Sequence, residues 1–256
     1  MVAGVLGLLI GSFLNVVIWR VPRGESIVSP ASACPSCGHP LRRRDNVPVV
    51  SWVLLRGRCR DCRSPISTRY PIVEALTAGL FLAALLRFGV DWALPAYLYL
   101  AAVGVALALI DVDVHRLPNV LVLPSYPVVA ALLVLASADP GGVADWAALG
   151  RAALGGLALL LFYIVLRLIY PRGMGLGDVK LAGVLGMALA WLGWGSLVIG
   201  AFAAFLVGGL FAITLLVSGR AHRKSGIPFG PWMLVGAAIG VAAGERLWTS
   251  YLNLIV

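Results

Sequence analysis

Two aspartates carry the most chemical information in this sequence. Asp178 closes the glycine-rich run GMGLGDVK, residues 173–180, and the 39 residues that follow it, 181–219, carry no charge. Asp111 lies in LIDVDVHRLPN, residues 109–119, where the charge-free run 92–110 ends. A carboxylate beside a membrane-length apolar run is a functional-site hypothesis by default. Two carboxylates confined together do not both ionise easily. One keeps a proton, and the pair can then divide acid and base work. Such a pair can activate water against a peptide bond. Gly175 and Gly177, with Gly173 before them, leave room for backbone or an extended peptide beside Asp178. Plainer readings exist. Asp178 suits a helix amino end, and Asp111 reads also as a loop carboxylate paired with Arg116. Yet Asp111 sits at a helix carboxyl end, where negative charge is disfavoured. Asp113 is two positions further on, about 200° around a helix. Only one of the two can face a given partner, and Asp113 is assigned a supporting role.

The second constellation is four cysteines. Cys34 and Cys37 form CPSC, Cys59 and Cys62 form CRDC, and 21 residues separate the pairs. Two such knuckles suit tetrahedral zinc held by four thiolates. Four thiolates leave no open position, so the metal is read as structural, and it would supply the fold of a small segment with little core. The alternative is four unligated thiols. Arg58, Arg60 and Arg63 flank the second knuckle and make a basic face, either solvated or set against an anionic ligand or lipid. His39 is surplus to the ligand set.

The elements that must position these groups follow from composition. The chain has 256 residues, 61% hydrophobic and 12% charged, whereas soluble domains carry roughly 25% charged residues. Charge-free runs occupy 2–19, 92–110, 117–138, 181–219 and 225–244, and a helix needs about 20 apolar residues to cross a bilayer. The long run holds two spans broken near Trp191–Gly195. Further spans near 71–89 and 147–169 carry charges at their ends. The expectation is an all-α polytopic membrane protein of about eight transmembrane helices. Its divisions are a first helix at 1–19, a cytoplasmic cysteine segment at 20–70 and a seven-helix domain at 71–256. The first apolar run lacks a basic region ahead of it, unlike a cleaved signal peptide, so its amino end is placed outside. That topology puts 20–70, 111–118, 170–180 and 218–228 in the cytoplasm, and these with their edges hold 17 of the 20 Lys and Arg residues. The formal net charge of +9 thus reads as the positive-inside bias and as contact with lipid headgroups, not as a nucleic-acid surface. Both aspartates fall on the cytoplasmic side. Glycines within the spans are read as close helix packing, and no internal repeat stands out.

These motifs resemble one family. GSFLNVVIWRVP at 11–22, the CPSC and CRDC knuckles, NVPVVSWVLLRGRC at 46–59 and SPISTRYPIVE at 64–74 occur in its order and spacing. So do LIDVDVHRLPN, GMGLGDVK and IPFGP at 227–231. The chain resembles the type IV prepilin peptidases, bifunctional leader peptidases and N-methyltransferases of bacterial type IV pilus and type II secretion systems. The resemblance implies a multi-pass inner-membrane protease with Asp111 and Asp178 as a GxGD catalytic pair. It implies prepilin or pseudopilin substrates with a basic leader, cleaved after a glycine at the cytoplasmic face. It implies methylation of the new amino terminus with S-adenosylmethionine as donor, and a zinc-binding cytoplasmic segment. No Rossmann-type glycine loop marks the donor site, which has no residues assigned. Lys180 and Arg172 are expected to stabilise an ionised carboxylate. Asn15 reads as interhelical glue, Glu74 as a partner of Arg69, and Gly57 as a turn. Rival readings are a proton-coupled transporter, a peptidase without methyl transfer, or a non-catalytic assembly factor with a zinc knuckle. The first would need polar groups at mid-membrane, and both aspartates lie at one end.

Overall fold

The structure is a computed structural model that describes residues 1–171, 173–219, 226 and 228–255, at Arg43 for the backbone alone. Among these residues it contains helices and no β-strand. The α-helices are α1 (Val2–Arg20), α2 (Val50–Leu54), α3 (Arg69–Phe88), α4 (Leu94–Val114), α5 (Asn119–Ala138), α6 (Trp146–Ile169), α7 (Leu176–Leu192), α8 (Trp194–Val217) and α9 (Gly230–Ile255). The breaks follow local chemistry. His115 and Asp139 take the left-handed conformation that ends α4 and α5. Pro118 stands just before α5, where its missing N–H costs little. The Asp145 side chain accepts from Ala148 N–H at 2.8 Å and starts α6.

Among the described residues six helices, α1, α3, α4, α5, α6 and α8, are long and apolar enough to cross a membrane. The other two long helices occupy the remaining expected positions but differ in kind. With 17 residues, α7 is about 26 Å long, somewhat under a hydrocarbon core of about 30 Å. At 26 residues α9 is long enough, and it carries Glu245 and Arg246. The 181–219 run breaks at Gly193, as its Trp and Gly residues suggest.

The chain forms two compact units, Met1–Val90 with Leu98–Ala106, and Asp91–Tyr97 with Leu107–Val256. In the first, α1 and α3 run antiparallel in close contact. A Cβ on Gly7 would lie 2.6 Å from Ala78 Cα, and one on Gly11 2.7 Å from Glu74 Cα. Small residues thus let the backbones meet. Asn15 Nδ2 donates to Tyr70 O at 3.2 Å and ties the two helices, as expected. Glu74 is buried and accepts from Val49 N–H at 2.7 Å, which fastens the start of α2 to α3. Gly57 turns the chain at φ 65°, and a Cβ there would stand 2.8 Å from the Trp52 ring.

In the second unit α7 is central. Eleven of its 17 residues are buried, against seven of 24 in α8. It packs against α5, α6, α8 and α9. Tyr97 Oη donates to Ala188 O at 2.8 Å and Tyr126 Oη to Lys180 O at 2.6 Å. At the far end of α7, Arg151 donates to Trp191 O at 3.1 Å, so a cation meets the helix carboxyl end. Glu245 accepts from Ser196 N–H at 2.8 Å in the first turn of α8, where an anion is favoured.

Candidate active site and cysteine centre

Asp111 occupies the last turn of α4 and is buried, while Asp113 is exposed, as the helical angle requires. Its Oδ2 accepts from Gly230 N–H at 3.0 Å. Gly230 is the first residue of α9, so the carboxylate lies at the amino end of another helix, where unpaired N–H groups and the macrodipole favour negative charge. This gives Asp111 the reason for its place that α4 alone lacks.

Asp178 is the third residue of α7 and is buried. Its Oδ2 accepts from Gly175 N–H at 3.0 Å. Gly175 is extended at φ −70° and ψ 149°, and it is exposed. Arg167 donates to Met174 O, holding the loop ahead of α7. Gly177 meets Leu117: a Cβ on Gly177 would lie 2.7 Å from Leu117 Cβ. Leu117 also lies against Gly230, 3.3 Å from where its Cβ would stand. This leucine therefore fills the space between the starts of α7 and α9, with an aspartate at each. The two carboxylates are near enough for the charge of Asp111 to act on Asp178. Tyr163 of α6 is buried within reach of the charge of Asp178 and stacks in a cluster with Phe205 and Phe229.

Lys180 is placed differently from the expectation. Its Nζ donates to Asn119 Oδ1 at 2.9 Å and joins the starts of α5 and α7. Arg172 lies outside the described residues, as do Ile227 of the IPFGP motif and most of the connection 218–228. The sequence reading did not single out Gly230, Leu117 or Tyr163. The only signal for Gly230 was its place in IPFGP.

The four cysteines converge. Their sulfurs all lie within 4.8 Å of one another, with Cys34 and Cys59 buried and Cys37 and Cys62 exposed. Cys34 Sγ and Cys62 Sγ are 3.8 Å apart. A zinc–sulfur bond of about 2.3 Å gives a tetrahedron edge of about 3.8 Å, while a disulfide needs about 2.05 Å. The two knuckles repeat one backbone pattern, a repeat not evident in the letters. Cys34 N–H donates to His39 O and Cys59 N–H to Ser64 O, at 3.0 and 2.9 Å. Gly38 and Arg63 both have positive φ, 71° and 61°, and Ala33–Pro40 and Arg58–Pro65 form matching bridges. Backbone N–H groups of Cys37 and Ser36 lower the Cys34 thiol to about 6. At Cys37 the His39 N–H favours thiolate, but partial desolvation and the neighbouring sulfurs push it up to about 12. Four sulfurs this close cannot all ionise unless a cation joins them, so the donor set fits a divalent, thiophilic metal. Beside them Arg60 grips Asp45 through Nε at 2.9 Å and Nη2 at 2.6 Å. That contact holds the Asp45 carboxyl below its usual range. A depressed carboxyl contributes stability above its unfolded value and loses it as the pH falls through the folded one.

Residues 5–88 match the family model of the bacterial peptidase A24 N-terminal domain. Residues 98–213 match that of the type IV leader peptidase family. A prepilin leader peptidase/N-methyltransferase of Aeromonas hydrophila is 36% identical over 96% of this chain and 91% of its own length. Proteins of the same name from Pseudomonas aeruginosa and Neisseria gonorrhoeae are 35% and 36% identical, covering 97% and 96% of the chain and 91% of each relative. No solved structure matches significantly.

Proposed function

We propose, for a chain that belongs to the type IV leader peptidase family, that Asp111 and Asp178 are the catalytic pair of its peptidase activity. The observation that carries this reading is the convergence of two buried carboxylates, each held by the N–H of a helix start and near enough for the charge of one to act on the other, with Leu117 packed against both starts. As a member of this family the chain is an enzyme, an aspartic-type prepilin peptidase with methyltransferase activity. Its substrate is a type IV prepilin or type II secretion pseudopilin, cut after a glycine between the basic leader and the apolar helix. One carboxyl, protonated, polarises the scissile carbonyl, and the other takes a proton from the attacking water. No covalent intermediate forms. The small residues Gly175 and Gly177 let the extended peptide approach. Asp113 and Lys180 support the site from its edge, Lys180 by tying α7 to α5.

The proposed topology has eight spans, the six apolar helices with α7 and α9, with the amino end outside, as the Lys and Arg distribution favours, and the dyad at the cytoplasmic edge of the inner membrane. Being enclosed by other helices, α7 needs less than a full bilayer length. Cys34, Cys37, Cys59 and Cys62 would hold a zinc ion that organises the cytoplasmic segment 20–70 and leaves no open coordination position. The freed amino terminus is methylated with S-adenosylmethionine as donor. Co-expression with a prepilin followed by intact-mass measurement tests the whole reading, since it reports leader loss and the added methyl together. Leader removal by an Asp178→Asn enzyme at the unaltered rate would refute the dyad. Leader loss without the methyl would leave a peptidase alone.

A further inference from the structure

The cysteine-bearing segment carries an apolar face that its own unit does not cover. Val50, Val53 and Leu54 of α2 are 51%, 59% and 77% exposed. Their i, i+3, i+4 spacing puts them on one side of the helix turn. Ser51 is buried, its Oγ donating to Arg44 O at 2.9 Å and accepting from Val47 N–H at 3.0 Å. In a soluble segment this arrangement would be inverted, with the serine outward and the aliphatic residues inward.

The level of α2 along the span explains the inversion. Its start is bonded to Glu74, five residues inside α3, or about 7.5 Å from the helix end. So α2 lies beside the end of a membrane-length helix, not beyond it. Trp19 and Tyr70, at the adjoining ends of α1 and α3, are also exposed; aromatic residues of this kind mark the membrane–water boundary. The charges agree. Residues 20–70 hold ten Arg against three acids, Glu25, Asp45 and Asp61. Arg60 and Arg42 are occupied with Asp45 and Asp61, and the exposed Arg56 and Arg58 follow directly after α2. Apolar side chains on a short helix with arginines at its edge fit the boundary between acyl chains and phosphate headgroups.

We infer that α2 is an interfacial anchor: Val50, Val53 and Leu54 enter the leaflet beside α3, and the following arginines meet lipid phosphates. The inference rests on α1 and α3 spanning the bilayer and is independent of the aspartate dyad. The anchor gives the cysteine centre a third attachment to the membrane, besides the ends of the two spans.

An environment-sensitive fluorescent amino acid in place of Leu54, in the full chain reconstituted into phosphatidylethanolamine–phosphatidylglycerol vesicles, tests it. A phospholipid with a nitroxide near the headgroup end of its acyl chain should quench the label about threefold or more over iodide in the buffer. The same label in place of Val53 provides a second, independent reporter should the first variant fold poorly. Stronger quenching by iodide than by the lipid nitroxide overturns the inference, and so does a label reached by neither, which would mean that protein covers the face.

Discussion

Replacing Gly230 by alanine tests the carboxylate geometry directly. A Cβ at this position would stand 2.8 Å from Asp111 Oδ2, against about 3.5 Å for a relaxed contact. The oxygen must therefore retreat by about 0.7 Å, and the 3.0 Å bond from Gly230 N–H stretches beyond hydrogen-bond range. A hydrogen bond to a charged group is worth about 1.5–3 kcal/mol, and each 1.36 kcal/mol is tenfold in rate. Cleavage by Gly230→Ala is expected to fall about 10- to 150-fold. The matched control is Gly209→Ala in α8, where a Cβ meets nothing within 4 Å; its rate should be unchanged. The assay is a time course of leader removal from a purified prepilin, read by intact mass, with helical content checked by circular dichroism. A Gly230→Ala enzyme that keeps its helices and cleaves within about twofold of the parent would show that Asp111 does not depend on the start of α9, and the proposed site geometry would be wrong.

Three further outcomes are expected. Asp111→Asn and Asp178→Asn should each reduce cleavage to background in intact-mass assays, while methyl transfer to a pre-cleaved peptide continues in both. Purified protein should contain about one zinc per chain by elemental analysis, and Cys34→Ser or Cys59→Ser should lose most of it and expose the arginines of 42–63 to trypsin. Glu74→Ala leaves the Val49 N–H without its acceptor, at a cost of about 1–3 kcal/mol. Faster trypsin cleavage of the segment should follow, and Glu74→Gln, whose amide oxygen still accepts, should largely restore resistance.

What the sequence made legible was what lies close along the chain. The opposed faces of Asp111 and Asp113 follow from the helical angle, and the structure buries one and exposes the other. The break at Gly193 and the pairing of CPSC with CRDC were readable from residue types at fixed spacing. Contacts between distant segments were not. Glu74 reads as a partner for Arg69 a turn away, yet it accepts from Val49, 25 positions back. Lys180 reads as a counter-ion for Asp178 two residues earlier, yet it reaches Asn119 across 61 positions. The knuckle repeat was hidden because its two copies share only their cysteines and a proline, while the likeness lies in backbone torsions that Gly38 and Arg63 both adopt.

Asp111 shows why the site itself was only half legible. Considered along α4, a carboxylate in the last turn opposes the helix dipole and should be selected against or solvated. Set against the start of α9, 119 positions away, the same charge meets an N–H donor and a favourable dipole. Asp178 meets the same kind of environment within its own helix. Both carboxylates are thus stabilised as anions by backbone groups, while their nearness resists the second negative charge. For the pair proposed above, one protonated and one ionised carboxyl would meet both demands, and that is the state a water-activating pair requires. The local rule that α4 breaks is therefore satisfied by a second helix, at the point where the proposed chemistry needs a carboxylate.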